Sequence, residues 1–315
     1  MNRAVFPRNH LLPRLWVYQS ERFPLFAHSA LIAAFSLSAV CFSLYLRGQA
    51  YLPSLKTSLV SFLCALLFFL QLRLADEFKD FADDSRFRPY RAVPRGLVTL
   101  RELGWLWAIS CLMQGLLAGW LSPALLPLLL GVWGYVGLMR LEFFAPHWLK
   151  SHPIVYLCSH MLILPLMVVF ITACDWRVAG QAYPASGLEW FLLASFFNGV
   201  VVEIGRKIRP PHSEEVGVET YTALWGQKRA VLAWLGAAGS AALCGIFAAQ
   251  QVRAGVLVIG ILLAQLIPML AIARHFVRKP SPTSAKVLEM LSGIWTIVFY
   301  LNLGLLPLIR QVLYP

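Results

Sequence analysis

The chain has 315 residues, of which 59% are hydrophobic and only 13% charged. A water-soluble domain carries charge on about 25% of its residues, so this composition, with a mean hydropathy of +0.67, excludes a soluble enzyme or binding module and points to an integral membrane protein. The net charge of +12 does not indicate nucleic acid, because Lys and Arg sit in short connectors between apolar runs, where such charges orient membrane spans. The cysteines (Cys41, Cys64, Cys111, Cys158, Cys174, Cys244) have neither metal-ligand nor CxxC spacing and read as small packing residues. Met1 to Phe23 is basic, but no short apolar core with a small-residue cleavage site ends it. The first apolar stretch therefore reads as a retained span.

Apolar runs near the length a bilayer requires, about 20 residues, fall at 25–46, 55–75, 103–121, 123–141, 154–174, 188–205, 229–249, 254–273 and 287–309. The third and fourth are separated only by Leu121-Ser122-Pro123 and read as a hairpin. Arg3, Arg8, Arg14 and Arg22 precede the first span; the second connector holds Arg86 to Arg101, the fourth Arg140, His147 and Lys150, the sixth Arg206, Lys207, Arg209, Lys228 and Arg229, and the eighth Arg274, Arg278, Lys279 and Lys286. The odd connectors are poorer, with Arg47 and Lys56, then none, then Arg177, then Arg253. This alternation places the N-terminus and the even connectors in the cytoplasm of a multi-pass protein of the inner membrane. The expected fold is all-α: one membrane domain over 1–315, with nine helices around a central cavity, capped by cytoplasmic loops 75–102 and 203–228. The two capping loops emerge on the same face, which suggests an internal repeat in parallel orientation.

The second connector reads Asp76-Glu77-Phe78-Lys79-Asp80-Phe81-Ala82-Asp83-Asp84, then Ser85-Arg86-Phe87-Arg88-Pro89-Tyr90-Arg91, so that five of the chain's 15 acidic residues occupy nine positions. If the second span continues as a helix, Asp76, Asp80 and Asp84 recur at i,i+4 and repel unless a cation sits among them. Mg²⁺ suits the pattern, since it takes one or two carboxylates and completes its octahedron with water and phosphate oxygens. Arg88 and Arg91 can grip further phosphate oxygens in bidentate fashion. The competing reading is a solvated acidic cap paired with its own arginines.

The sixth connector continues a span that reads Asn198-Gly199-Val200-Val201-Val202-Glu203-Ile204-Gly205-Arg206-Lys207-Ile208-Arg209, followed by Pro210 to Thr220. Glu203 ends an apolar run, where ionisable groups usually face a cavity and serve function. Lys207 shares its helix face, so a plain i,i+4 ion pair is the alternative.

At these two segments the chain resembles the UbiA superfamily of intramembrane prenyltransferases. That family's first motif, NDxxDxxxD followed by an Arg-Pro-rich run and a Gly, is matched here by Asp76-Glu77-x-x-Asp80-x-x-x-Asp84 and Arg88-Pro89-Tyr90-Arg91-Ala92-Val93-Pro94-Arg95-Gly96. Asp76 replaces the opening Asn, Glu77 the next Asp, and Ala92 the usual Pro. In the second motif Glu203 stands for the first Asp and Lys207 falls where the second would be, while Gly217, Thr220 and Gly226 look like its closing segment. Glu214 and Glu215, in extra sequence between them, restore acidic charge.

The resemblance implies Mg²⁺-dependent transfer of a prenyl group from an isoprenyl diphosphate to a lipophilic or aromatic acceptor in the bilayer, with no nucleic acid involved. It implies Asp76, Asp80, Asp84 and Glu203 as catalytic carboxylates. Metal ligands are expected among these four with Glu77, Glu214 and Glu215, and substrate contacts from Arg88, Arg91, Lys207, Arg206 and Asn198. Phosphoribosyl transfer to a polyprenyl phosphate on the same fold is the first alternative. The second is a transporter, which the isolation of Gln114, Glu142, Asn198 and Asn302 disfavours. The histidines show no metal spacing; His147, His152 and His160 share no helical face and read as interface residues. The DGxxAR motif of CDP-alcohol phosphotransferases and a Gly-rich phosphate loop are both absent.

Overall fold

The computed structural model describes residues 10–252 and 255–313. Arg3, Arg8 and Arg253, three of the charges used to orient the chain, lie outside the described residues. Helices run in chain order as α1 (Leu11–Arg22), α2 (Leu25–Leu46), α3 (Leu55–Lys79), α4 (Phe81–Phe87), α5 (Leu100–Leu121), α6 (Leu126–Arg140), α7 (Pro146–Ser151), α8 (Pro153–Met161), α9 (Ile163–Trp176), α10 (Leu188–Gly205), α11 (Tyr221–Trp225), α12 (Gln227–Gln251), α13 (Gly255–Arg278), α14 (Pro282–Tyr300) and α15 (Leu306–Leu313). Among the described residues there is no strand. Among the described residues nine helical spans are long and apolar enough to cross a bilayer, so this is a multi-pass membrane protein. A span must satisfy every backbone N–H and C=O within itself, which long apolar helices do.

The spans match the apolar runs, with extensions at their polar ends. Span two reaches Lys79 rather than residue 75, because the acidic residues continue the helix; the backbone N–H of Asp80 bonds the carbonyl of Asp76 at 2.8 Å. Span three starts at Leu100, where Thr99 and Glu102 close a capping box. Span five is divided at Leu162, since Pro165 has no N–H for the carbonyl of Met161. Span nine carries a π turn at Leu301–Leu305 just before Pro307, which leaves the carbonyl of Leu303 without its helical donor.

Aromatic side chains fill the middle of the bundle. Phe42 stacks on Phe191 with ring centroids 4.6 Å apart, Phe68 meets Phe170 edge-on at 5.3 Å, and Phe35 meets Tyr300 at 5.1 Å. All are buried, and burial of each contributes about 1.5–3 kcal/mol. Outward faces of α5 and α13 instead expose Trp105, Leu112, Leu116, Val256 and Ile267, a surface suited to lipid.

At one end of the bundle the second and sixth connectors meet. Tyr90 donates from its hydroxyl to Glu215 at 3.3 Å. Gly217, at φ +75°, lies flat against the ring of Phe87, where a Cβ would overlap that ring. Helix α1, not foreseen in the sequence, buttresses this end from the side. Its Tyr18 packs with Leu74, Val93 and Leu103, and its Arg14 pairs with Glu102 at 2.7 Å, Glu21 with Arg95 at 2.7 Å and Arg22 with Glu77 at 2.5 Å. Leu12 and Trp16 face outward, as in helices that lie along a membrane interface.

Candidate active site

The acidic stretch stays helical through the hinge at Asp80, since the N–H groups of Asp80 and Asp84 bond the carbonyls four residues back, each at 2.8 Å. Asp76, Asp80 and Asp84 therefore follow one another along a helical surface, as their spacing requires. Their environments differ. Asp84 is 2% exposed and held by Arg88 at 2.7 Å and Arg91 at 2.6 Å. Asp76 and Asp80 are about 40% exposed at the side chain and only loosely accompanied, Asp76 by Arg73 at 3.6 Å and Lys79 at 3.9 Å, Asp80 by Lys79 at 4.0 Å. Burial raises the Asp80 carboxyl above its usual range; the attraction of Lys79 opposes this, and repulsion from Asp76 and Asp84 adds to it. Glu77 points the other way, into its pair with Arg22. That guanidinium sits above its ordinary value because Glu77 outweighs the opposing cost of burial.

On α10 and the loop after it, Glu203 is gripped from two sides. Arg206 Nε donates to it at 2.6 Å and Lys207 Nζ lies 2.9 Å away. The Arg206 guanidinium is held above its usual range first by Glu203, against burial, with Asp76 of α3 and Tyr221 adding to the effect. Asp76 and Arg206 are thus near enough at this end of the bundle for their charges to interact. Lys207 also lies over the ring of Tyr221 at 5.7 Å, and burial, then the Glu203 charge, raises that phenol. A cleft opens here between α8 and the sixth connector, lined by Lys150, Tyr156, Lys207, Thr220, Tyr221 and Leu224.

Other expected site residues lie elsewhere. Glu214 accepts from the hydroxyls of Thr220 and Thr222 at 2.7–2.8 Å, and Glu215 pairs with Arg209 at 3.0 Å; both pin the loop. Asn198, 1% exposed, turns toward α14 and accepts from Trp295 Nε1 at 2.7 Å. Sequence reasoning gave no role to Lys79 or Tyr156 and read His160 as an interface residue. Lys79 donates to the Tyr156 hydroxyl at 2.7 Å, and the Tyr156 ring stacks on His160 at 4.0 Å. The i,i+4 spacing of Tyr156 and His160 on α8 was the available signal.

Among the described residues no three His, Cys, Asp or Glu side chains converge on one point. The donor set fits one Mg²⁺ at Asp76 and Asp80, the two acidic side chains left half-exposed and without a close partner, because Mg²⁺ needs only one or two protein carboxylates. It does not fit a second ion at Glu203, whose oxygens pair with Arg206 and Lys207.

No family model and no curated protein sequence matches the chain. Solved structures do. An apo UbiA homologue from Aeropyrum pernix K1 superposes with a TM-score of 0.66 at 16% identity, over 85% of this chain and 95% of that one. Digeranylgeranylglyceryl phosphate synthase gives 0.58 at 13% identity, covering 95% and 99%. A UbiA homologue from Archaeoglobus fulgidus bound to DMAPP and Mg²⁺ gives 0.53 at 13% identity, again covering 95% and 99%. The chain has the fold of the UbiA homologues.

Proposed function

We propose that this protein is a UbiA-type membrane prenyltransferase: it transfers a prenyl group from an isoprenyl diphosphate to an acceptor within the bilayer, with Mg²⁺ as cofactor. The observation that supports this best is the pair of half-sites at one end of the bundle. Asp76 and Asp80 are only loosely accompanied at the end of α3, and Arg206, whose charge interacts with Asp76, sits with Lys207 on Glu203 as a cation for phosphate. The bond to the Archaeoglobus neighbour is one of fold, and its ligands, DMAPP and Mg²⁺, are the chemistry this arrangement suits.

Bound at Asp76 and Asp80, Mg²⁺ would supply Lewis-acid stabilisation of the charge that builds on the leaving diphosphate. The protein does the rest. Arg206 and Lys207 exchange Glu203 for phosphate oxygens as the donor enters. The contacts Tyr90–Glu215 and Phe87–Gly217 hold the two loops together above the site, which limits water while the allylic carbon is electrophilic. The distribution of Lys and Arg supports a cytoplasmic orientation for this end and the N-terminus, where a soluble diphosphate headgroup is accessible.

The test is turnover in detergent or nanodiscs with labelled prenyl diphosphates of several lengths, Mg²⁺ and a panel of acceptors. Magnesium-dependent diphosphate release, abolished in Asp80→Asn, is expected. Consumption of phosphoribosyl diphosphate instead, with a polyprenyl phosphate as acceptor, would replace the reading.

A further inference from the structure

Prenyl transfer leaves a proton to be removed. When the allylic C–O bond breaks, its electron pair departs with the diphosphate. The acceptor X–H then supplies a pair to the new C–X bond and releases H⁺ to a base. Of the nearby carboxylates, Asp84 is committed to Arg88 and Arg91 and Asp76 and Asp80 to the metal, while Glu203 is paired with Arg206 and Lys207 until phosphate takes them.

His160 is 8% exposed on α8. Its Nδ1 lies 2.9 Å from the carbonyl oxygen of Tyr156. A carbonyl only accepts, so Nδ1 holds the proton and the neutral ring keeps its lone pair on Nε2. That Nε2 is buried and has no partner, an arrangement that costs free energy unless something occupies the site. The ring is fixed from both sides, stacked on Tyr156 at 4.0 Å and met edge-on by Phe143 at 6.0 Å. The Tyr156 hydroxyl beside it accepts from Lys79 of α3 at 2.7 Å, and Asp76 of α3 and Glu203 of α10 are among the charged groups near the ring. His160 sits seven residues into the span from Pro153, about 10 Å along the helix axis, on the bilayer side of the phosphate-binding end.

The segment that brings Phe143 to this ring is strained. Glu142, Phe143 and Phe144 all adopt left-handed backbone, with φ of 46°, 51° and 60°. Each non-glycine residue in that region costs about 1–2 kcal/mol. Such strain clusters at functional sites.

We propose that His160 is the general base of the transfer, taking the acceptor's proton on Nε2. Resting on the prenyl-transfer reading above, this makes the acceptor a nucleophile that must lose a proton, a hydroxyl group or an electron-rich aromatic ring.

Two experiments test it. In the metal-free protein labelled with [¹⁵N]histidine, with resonances assigned by replacing the other histidines in turn, His160 is expected as the Nδ1-protonated tautomer. In turnover with labelled farnesyl and geranylgeranyl diphosphates, Mg²⁺, and a phenol carboxylate, a naphthalenediol or glycerol phosphate as acceptor, His160→Gln is expected to lose about 100-fold or more in acceptor prenylation. Its diphosphate release, with water capturing the prenyl group, stays within about threefold of wild type, the loss being confined to the proton-transfer step. The Nε2-protonated tautomer, undiminished transfer in the variant, or parallel loss of diphosphate release and transfer would each overturn the assignment of His160 alone. No diphosphate release from wild type with any donor would overturn the prenyltransferase reading, and the assignment with it.

Discussion

Asp84 shares a 2.6 Å ion pair with Arg91, while Asp80, four residues earlier on the same surface, has no cation closer than Lys79 at 4.0 Å. One acidic repeat thus serves two purposes. Asp84 ties the connector's arginines back onto its helix, and Asp80 remains available to a ligand. Removing one partner from a buried pair leaves uncompensated charge and costs about 3–5 kcal/mol, so Asp84→Ala is expected to lower thermal stability severely in detergent. Asp80→Asn removes an i,i+4 repulsion worth about 0.2–0.5 kcal/mol. It should leave the metal-free protein as stable as wild type or slightly more so, while abolishing turnover. Equal destabilisation by the two changes, followed by tryptophan fluorescence on heating, would contradict this division.

The cationic half-site can be weighed separately from the metal. Arg206→Gln or Lys207→Gln removes a charge-assisted hydrogen bond to phosphate, worth about 1.5–3 kcal/mol. Donor KM should rise about tenfold or more in each, with the Mg²⁺ concentration for half-maximal rate little changed. A shift in the Mg²⁺ requirement without a change in donor KM would mean that these side chains act on the metal site instead.

The cap depends on one glycine. Gly217 takes φ +75° and its Cα faces the Phe87 ring, so Gly217→Ala meets both a backbone penalty of about 1–2 kcal/mol and steric overlap with that ring. The sixth connector should then lift from the second. Trypsin should cleave faster at Arg206 or Lys207, and a larger share of the donor should end as prenol through water entry. Wild-type protease resistance in this variant would show that the loops are held together without the Phe87 contact.

The spans and the site's main outline were legible because both are periodic or dense in sequence. Nine apolar runs near bilayer length became nine helical spans among the described residues, and five acids in nine residues marked the exposed end of α3. Contacts across long separations were not. Nothing in the run around Tyr90 announces that its hydroxyl reaches Glu215 in the sixth connector. Gln114 read as isolated, yet it accepts from Gln71 and Trp133 at 2.8 Å each, partners on other helices. The run Glu142-Phe143-Phe144 carries no glycine, so its left-handed backbone had no local signature, and His160 had only its neighbours on α8 to suggest a role.

The two adjacent acids at the head of the motif offer the sharpest contrast. Asp76 and Glu77 are neighbours in sequence, and on a helix adjacent residues point about 100° apart. Glu77 accordingly turns into α1, 2% exposed, where Arg22 meets it at 2.5 Å, while Asp76 stays half-exposed beside Arg73 and Lys79. Mn²⁺ titration followed by electron paramagnetic resonance, with Mn²⁺ standing in for Mg²⁺, separates the two. Asp76→Asn is expected to weaken binding about tenfold or more, the loss of one of two carboxylate ligands. Glu77→Gln should leave binding within about twofold and instead destabilise the fold, because it strands a half-buried guanidinium. The charge swap Arg22→Glu with Glu77→Arg should recover part of that stability, since the pair is re-formed in reverse. If Glu77→Gln weakens Mn²⁺ as much as Asp76→Asn does, and the swap restores nothing, then Glu77 leaves Arg22 to reach the metal and α1 is not the buttress of this site.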